Sequence, residues 1–400
     1  MGCAICGEPG AGQRIAGVSL CDTCFSGDFG HHLGRHGVHL QELRYDLEDR
    51  EHSSIGHFVE TCATLDRALE LDATFSPQGR LTRWLGSSHV RTGDADFDRA
   101  VLVKTPRPER AARILEHAGV RAAILDNVFE LAAAGTGGEL RIQGHRCRLW
   151  EQLDHARRGA GLEDRRRLAV LFLHLAEWAA ASGLPTNPAL AAFPDLEGLG
   201  DALSRGRLLH VSFHRTTLPH LTGLAFLQAM GAGDAFPSFG LHGCRVVSGD
   251  FTPLRTFDWL QRLQLEDLPD LGDLSWLPRL ASLQVLNLAG SPVGDLSPLA
   301  TLTDLQILTC GHTAVQDCAP LARLPRLRGL SLGWTRITDL SPLAGLTALE
   351  ELNISDLAVD LSPLFGMPRL RKLWIRDGRV DPAQLDALRG HLPALRIDPP

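Results

Sequence analysis

The second half of the chain repeats a short pattern of apolar and polar positions. Leucine or a similar residue recurs in the order Leu-x-x-Leu-x-Leu, and the copies begin at Leu260, Leu283, Leu305, Leu327, Leu349 and Leu370. Successive copies start 23, 22, 22, 22 and 21 residues apart. A strand-and-turn unit of this length cannot bury its apolar face alone. The pattern therefore predicts units that stack into a solenoid and leave a concave sheet open to solvent.

The second half of each repeat carries its own local chemistry. Residues 295–299 and 339–343 read Asp-Leu-Ser-Pro-Leu, and residues 361–364 read Leu-Ser-Pro-Leu. Serine at a helix cap, followed by proline at the first helical position, predicts a single helical turn on the convex side. Ser291, Thr313 and Thr335 follow the predicted strands, where a buried hydroxyl can bond the neighbouring backbone.

Together these motifs closely resemble the internalin-like leucine-rich repeats of bacteria. The resemblance covers residues 240–385. The chain departs from that pattern because it has serine or threonine where many such repeats have asparagine. The resemblance implies a leucine-rich-repeat solenoid that binds a protein through its concave face.

The concave face supplies the predicted binding residues. Successive strand residues alternate sides, so the side chains between and after the inward leucines point to that face. Its carboxy-terminal end presents tryptophan and arginine, the typical anchors of protein interfaces. The predicted partner-binding residues are Trp374, Lys372, Arg376, Trp334, His312, Asn353, Glu351 and Asn287. For Trp334 the alternative is that its ring folds over the edge of the solenoid as packing.

Two Cys-x-x-Cys motifs stand near the amino terminus. They place four thiolates as two knuckles that fill the tetrahedral positions of a structural Zn²⁺ ion: Cys3, Cys6, Cys21 and Cys24. A redox Cys-x-x-Cys pair is the alternative. With Ile15-Ala16-Gly17 between them, these motifs resemble the treble-clef zinc domain of Clp-type unfoldases. The resemblance implies a docking knuckle, because the chain has no Gly-x-x-x-x-Gly-Lys-Ser/Thr loop to serve an ATPase.

A histidine-rich segment follows the second knuckle and contains His31, His32, His36 and His39. Because the cysteines already complete one site, we interpret this segment as a solvated connector. A second metal site or a pH-sensitive contact surface are the alternatives.

Residues 35–185 predict an α+β domain of unknown purpose. Alternating apolar positions near Val38, Leu43, Val101 and Leu140 predict strands, and helical spacing runs from Leu162 to Ala181. The predicted fold class is therefore a multi-domain α/β protein. Its parts are a treble-clef or zinc-ribbon knuckle over 1–34, an α+β domain over 35–185, and the capped solenoid over 190–400.

An acidic turn begins like a calcium loop. Asp94, Asp96 and Asp98 alternate, but Arg99 stands where the loop needs glycine and Thr105 where it needs glutamate. A capped, solvated turn is the better interpretation.

Other motifs lack the setting that their chemistry needs. Residues 231–234 read Gly-Ala-Gly-Asp and resemble the catalytic motif of ribokinase-type sugar kinases, but Pro237 follows where those kinases begin a helix. His174 and His214 lie among apolar residues, which favours satisfied structural histidines over catalytic bases.

Composition narrows the function classes. The 400 residues include 40 basic and 47 acidic ones, for a net charge of −7, and no half of the chain is basic enough to hold nucleic acid. No apolar run approaches the roughly 18 residues of a membrane span, and residues 1–20 lack a signal-peptide pattern. We therefore expect a cytoplasmic protein with neither a nucleic-acid nor a membrane partner.

The predicted function is a bacterial-type intracellular adaptor or sensor that recognises a protein and is not an enzyme. The alternative is a regulatory or catalytic subunit whose α+β domain carries an unrecognised activity. A deep polar pocket in residues 35–185 would favour that alternative, and a filled core would favour the adaptor.

Overall fold

The structure is a computed structural model that describes residues 13–15, 18–20, 33, 36–49, 55–77, 90–133, 140–153, 161–186, 206–218, 220–224, 227, 236–376 and 380–398. The chain forms two compact units. The first comprises Met1–Gly206 with Arg215–Thr217, and the second Arg207–His214 with Leu218–Pro400. Several predictions fall outside the described residues, namely those on Cys3, Cys6, Cys21, Cys24, His31, His32 and residues 231–234.

The first unit combines antiparallel strands with helices. Its strands are β1 (Gln13–Ile15), β2 (Val18–Leu20), β3 (Val38–Asp49), β4 (Ile55–Leu65), β5 (Leu71–Pro77), β6 (Val101–Lys104), β7 (Leu140–Gly144) and β8 (Arg146–Leu153). Its helices are α1 (Ala95–Ala100), α2 (Pro108–Leu115), α3 (Ala118–Ala133) and α4 (Gly161–Ala181). Strands β1 and β2 pair with each other, and the other six follow the order β3-β4-β8-β7-β5-β6 with antiparallel neighbours.

Apolar periodicity places the core of this unit. In β5, Leu71, Ala73 and Phe75 are buried and alternate with more exposed neighbours, as a strand with one buried face requires. Helix α4 confirms the helix predicted from Leu162 to Ala181. It packs on α3, β3 and β4 through a fully buried face that includes Leu168 and Phe172. The described residues of the unit therefore share one hydrophobic core.

The acidic turn is a helix cap. The Asp94 carboxylate accepts hydrogen bonds from the N–H groups of Asp96 and Phe97 at 3.2 and 3.1 Å, and pairs with Arg121 at 3.1 Å. The bond from Phe97 N–H is the main cause that lowers the pKa of Asp94. This geometry confirms the capped turn inferred from the sequence.

The second unit is a solenoid of parallel strands. Its strands are β9 (Gly206–His214), β10 (Thr217–Leu218), β11 (Ser238–His242), β12 (Arg245–Val246), β13 (Arg262–Glu266), β14 (Val285–Asn287), β15 (Ile307–Thr309), β16 (Gly329–Ser331), β17 (Glu351–Asn353), β18 (Lys372–Trp374) and β19 (Arg396–Asp398), with helix α5 (Pro382–His391) before the last. Strands β9, β11 and β13 to β19 pair in parallel, each with the next. The predicted leucine-rich-repeat solenoid is confirmed by this register.

One strand with its following turn is called a rung below. The second leucine of each repeat stacks on its counterpart in the next rung, and Leu308, Leu330 and Leu352 are buried in the middle of the stack. The rungs of β9 and β11 were not predicted, because valine and phenylalanine replace leucines there and the spacing is irregular. Cys310 and Cys318 lie buried in the stack, and burial raises the pKa of Cys310 to about 12.

The convex turns are single 3-10 turns, and their cap differs from the prediction. They span Thr252–Thr256, Leu277–Arg279, Ser297–Thr301, Ala319–Arg323, Ser341–Gly345 and Ser362–Leu364. Serine is the first residue of the turn and not its cap. The carboxylate two residues earlier accepts its N–H, at 2.8 Å from Ser297 to Asp295 and from Ser341 to Asp339. An aspartate can accept a hydrogen bond from the backbone N–H two residues ahead. The prediction that serine caps these turns is therefore wrong, because the aspartate accepts the hydrogen bond instead.

The predicted hydroxyl bonds are present. Ser291 donates to Leu265 O and accepts from Leu268 N–H, both at 3.1 Å, and thereby links two rungs. Thr313 and Thr335 donate to carbonyls three residues earlier, within their own rungs. Across the described residues, no helix is long and apolar enough to cross a membrane.

Candidate functional site

A column of left-handed residues borders the concave face. In the rungs of β11 and β13 to β17, one residue of the turn that follows the strand has a positive φ, between 54° and 70°: Gly243, Asp267, Gly290, His312, Trp334 and Asp356. Each of their N–H groups donates to a carbonyl of the next rung, for example from Trp334 to Ser355 O at 2.9 Å. Glycine, aspartate and histidine tolerate this conformation, whereas a bulky residue rarely adopts it. Trp334 is therefore the exceptional member of the column.

Trp334 stacks on the ring of the preceding rung. The rings of Trp334 and His312 lie 4.6 Å apart and 7° from parallel, because equivalent positions of adjacent rungs are about one strand spacing apart. Trp334 is half-buried and His312 is exposed. Part of the alternative interpretation thus holds, since the ring packs on the solenoid, but it also forms one wall of a cavity.

That cavity lies on the concave face and has a volume of about 400 Å³. Its walls are formed by Ile307, Leu308, Thr309, Gly329, Leu330, Ser331, Trp334, Glu351, Asn353, Ser355, Trp374 and Arg376. Five of the predicted binding residues are brought together there: Trp334, Glu351, Asn353, Trp374 and Arg376. His312, Lys372 and Asn287 are not among the lining residues.

Gly329 gives the cavity its depth. A Cβ atom at this position would meet only Ile307, at 3.6 Å, so neither packing nor a positive φ requires glycine. At Gly333, by contrast, a Cβ atom would lie 3.1 Å from Asn353 Oδ1 and 3.3 Å from Ser355, so close packing of rungs favours glycine. Glycine within a strand often marks a close approach of a ligand or another backbone.

The charged residues at this end are not equivalent. Glu351 and Lys372 face each other across β17 and β18, and their side chains form an ion pair at 2.7 Å. Lys372 Nζ also lies 5.8 Å from the centre of the Trp374 ring. Among the described residues Arg376 has no ion-pair partner, and it is exposed. Arg376 is therefore a cation on the wall of the cavity that can be offered to a partner.

The side chains of Asn287 and Asn353 accept hydrogen bonds from the neighbouring backbone, which the sequence did not show. Asn287 Oδ1 accepts the N–H of Ala289, and Asn353 Oδ1 accepts the N–H of Ser355, both at 3.0 Å. These bonds hold the chain as it leaves the strand. The two carbonyl oxygens are thus already engaged within their own rungs.

The amino-terminal end of the same face carries a polar network that sequence reasoning missed. Its members are His210, Ser212, His214, Ser238, His242 and Glu266. Ser212 Oγ lies 3.0 Å from His210 Nε2 and 2.9 Å from His214 Nε2. His214 stacks on His242 at 4.5 Å, and His242 Nδ1 lies 3.2 Å from a Glu266 oxygen. The alternation His-x-Ser-x-His in 210–214 was the available signal.

Comparison with solved structures finds leucine-rich-repeat proteins. Internalin C2 from Listeria monocytogenes is 28% identical, with a TM-score of 0.42, over 48% of this chain and 80% of that one. Another Listeria internalin is 24% identical, with a TM-score of 0.40, over 52% and 69%. A leucine-rich-repeat protein from Leptospira interrogans is 19% identical, with a TM-score of 0.40, over 46% and 45%.

No family model and no curated protein matches the chain. The repeat fold is established by the parallel register of the strands and by the geometry of the turns.

Proposed function

We propose that this protein is an adaptor or sensor that binds a protein partner through the carboxy-terminal end of its concave face. The observation that carries the proposal is the cavity between Trp334 and Trp374, with Gly329 as its open floor. The walls combine apolar rings with the cation of Arg376. A partner segment with an apolar side chain next to a carboxylate fits this chemistry.

The backbone of Trp334 supports this proposal. A left-handed conformation costs a non-glycine residue roughly 1–2 kcal/mol, and the neighbouring rungs place glycine, aspartate or histidine there. A strained residue that persists against folding stability is a candidate for function. Tryptophan is also the residue type most often found as an anchor of protein interfaces.

A matched pair of glycine substitutions tests the site. Gly329→Gln extends a neutral side chain into the cavity, whereas Gly345→Gln places the same side chain on the convex turn, where nothing lies within 4 Å of a new Cβ atom. We expect partners recovered with the full chain from cells of the native organism to be lost by Gly329→Gln and kept by Gly345→Gln. Equal recovery by both variants would remove the cavity from the proposal.

We also propose a structural Zn²⁺ held by Cys3, Cys6, Cys21 and Cys24. The support is the paired two-residue spacing of the thiolates, which suits tetrahedral zinc. Elemental analysis of the reduced protein is expected to find one zinc per chain fewer in Cys21→Ser than in the unaltered chain. A full chain without stoichiometric zinc would contradict the proposal.

Cysteine chemistry supports an intracellular setting. Cys147, Cys310 and Cys318 are buried free thiols. Scattered unpaired thiols are typical of proteins in reducing compartments.

A second candidate function is that of a regulatory or catalytic subunit whose first unit binds a small molecule, and one observation favours it. Beside the hydrophobic core of this unit lies a cavity of about 350 Å³ lined by His36, Gly37, Asp66, Arg67, Leu173, Ala176, Glu177, Ala180 and Thr186. Gly37 adopts a φ of 70°, and a Cβ atom there would overlap the Asp66 carboxylate. If this pocket binds a small molecule, a ligand that raises the melting temperature of the full chain should lose its effect in Asp66→Asn.

A further inference from the structure

Two histidines and a glutamate converge beside helix α4 in the first unit. His174 and Glu177 lie one turn apart on α4 and share a face, and His117 lies in the link between α2 and α3. One metal-ligating atom of each residue lies within 4.8 Å of those of the other two. In the part of the chain that the structure describes, no other three such side chains meet this distance, and His36 and His39 do not.

His174 has a nitrogen without a partner. Its Nδ1 lies 3.2 Å from a Glu177 carboxylate oxygen, which assigns the proton to Nδ1 and the lone pair to Nε2. Nε2 is buried and has no hydrogen-bond partner. The 3.2 Å between Nδ1 and this oxygen is close to the separation of two ligand atoms on one metal ion, so both can bind the same ion once the proton has left Nδ1. His174 is therefore not the satisfied structural histidine that the sequence suggested.

A glycine in α3 makes room for this ring. A Cβ atom at Gly119 would lie 2.6 Å from both Nδ1 and Cε1 of His174, which is too close for any side chain. Alanine would favour the helix at this position, so the chain gives up helix propensity to seat the imidazole. The ring is held against the first turn of α3.

His117 can supply a second nitrogen lone pair. Its ring centre lies 5.5 Å from that of His174, and its Nδ1 accepts a long hydrogen bond of 3.3 Å from Val120 N–H. A bond of this length is weak and can be exchanged for a coordinate bond. Glu177 is exposed, so its carboxylate can turn toward an ion without unpacking the helix.

We propose that His117, His174 and Glu177 hold a divalent transition-metal ion of the zinc, iron(II) or nickel class. Two imidazoles and one carboxylate suit these ions, whereas calcium and magnesium prefer oxygen ligands. Ligand atoms about 2.1 Å from a tetrahedral ion lie ~3.4 Å apart, so the distances between the three ligand atoms must shrink by at most ~1.4 Å. Three protein ligands leave a position open to water or a small ligand. Glu177 also lines the cavity of about 350 Å³, which gives such a ligand access to the carboxylate.

Cobalt titration of the metal-free full chain tests this site. Co²⁺ bound by imidazole and carboxylate gives visible d–d absorption without the thiolate charge-transfer band, so any cysteine-bound cobalt is counted separately. We expect one thiolate-free Co²⁺ per chain. His174→Gln and Glu177→Gln should each weaken its binding at least about tenfold.

Two further variants separate metal binding from folding. Gly119→Ala should displace the imidazole and weaken Co²⁺ binding while the helical circular dichroism is kept. Glu109→Gln makes the same chemical change as Glu177→Gln at an exposed position of α2 and should leave binding unchanged. Because Glu177 is 65% exposed, its variant decides the matter even if His174→Gln does not fold. Absence of thiolate-free Co²⁺, or equal affinity in Glu177→Gln and the unaltered chain, would overturn the proposal.

Discussion

The two ends of the concave face use the same strand positions in opposite ways. On β9, β11 and β13 the outward side chains bond one another, from Ser238 through His210 and Ser212 to His214. On β15 to β18 the equivalent positions hold an isoleucine, a glycine, one ion pair, small polar residues and a tryptophan, and a cavity of about 400 Å³ opens between them. Both ends share the same parallel strand register, so the choice of side chains decides whether a solenoid face is closed on itself or open to a partner.

The largest effect is expected in the buried leucine stack behind the carboxy-terminal end of the concave face. Leu330 is buried between Leu308 and Leu352, and its truncation to alanine should cost about 2–5 kcal/mol of unfolding free energy. Since each rung rests on its neighbours, hydrogen exchange should rise over several rungs in Leu330→Ala. Denaturant unfolding and hydrogen exchange measure both effects. Loosening of one rung alone would show that the two ends do not share a cooperative core.

Trp374→Ala distinguishes the ends by binding. We expect partner affinity to fall by ~2 kcal/mol, as for a buried aromatic anchor, with little change in melting temperature because the ring points away from the core. Gln264 occupies the same column at the amino-terminal end, so Gln264→Ala is the matched control and should bind normally. Calorimetry with the recovered partner measures both. Loss of affinity in the control alone would move the site to the other end.

At position 334 a glycine substitution should leave the protein more stable than an alanine substitution, which reverses the usual order. Both substitutions remove the ring, but only glycine relaxes the left-handed backbone, so Trp334→Gly should be more stable than Trp334→Ala by ~1 kcal/mol. At Gly329, which has no positive φ, Gly329→Ala should instead stabilise slightly. Thermal unfolding of these variants tests the strain. If alanine were the more stable residue at 334, the strain argument for this end would fail.

Arg376 should contribute through charge at the rim of the cavity. Arg376→Glu is expected to weaken binding of an acidic partner by about 1 kcal/mol or less, and more at low salt than at high salt. Lys372→Gln should matter less, because Lys372 is already paired with Glu351. Association rates measured against ionic strength would show this. A salt-independent loss would indicate a packing role for Arg376.

The smallest effect concerns the aspartates that cap the convex turns. Hydrogen bonds from Ser297, Ser341 and Ser362 lower the pKa of Asp295, Asp339 and Asp360 below its ordinary value. A carboxyl whose pKa is lowered by folding stabilises the fold above its unfolded pKa and loses that contribution as pH falls through the folded value. Unfolding free energy should therefore decline below about pH 4. Asp339→Asn should make the decline shallower, whereas an unchanged profile would contradict the cap.

The repeats could be predicted because their information is local and periodic. The spacing of 21 to 23 residues and the inward leucines predict the strands from β13 to β18, and the structure has a strand at each of these places. The rungs of β9 and β11 were missed, since their core positions hold valine and phenylalanine at irregular spacing. The serine cap was wrong, because serine and aspartate both bond nearby N–H groups and only the turn geometry distinguishes them.

The sequence by itself determined which side of each strand faces the core, because alternation of side chains follows from backbone geometry alone. It therefore placed Trp374 and Arg376 on one face. Only the tertiary structure put Trp334 in a left-handed conformation and brought His117 to His174 from 57 residues away. Those relations depend on distances between segments that are remote along the chain. No period or spacing in the sequence encodes them.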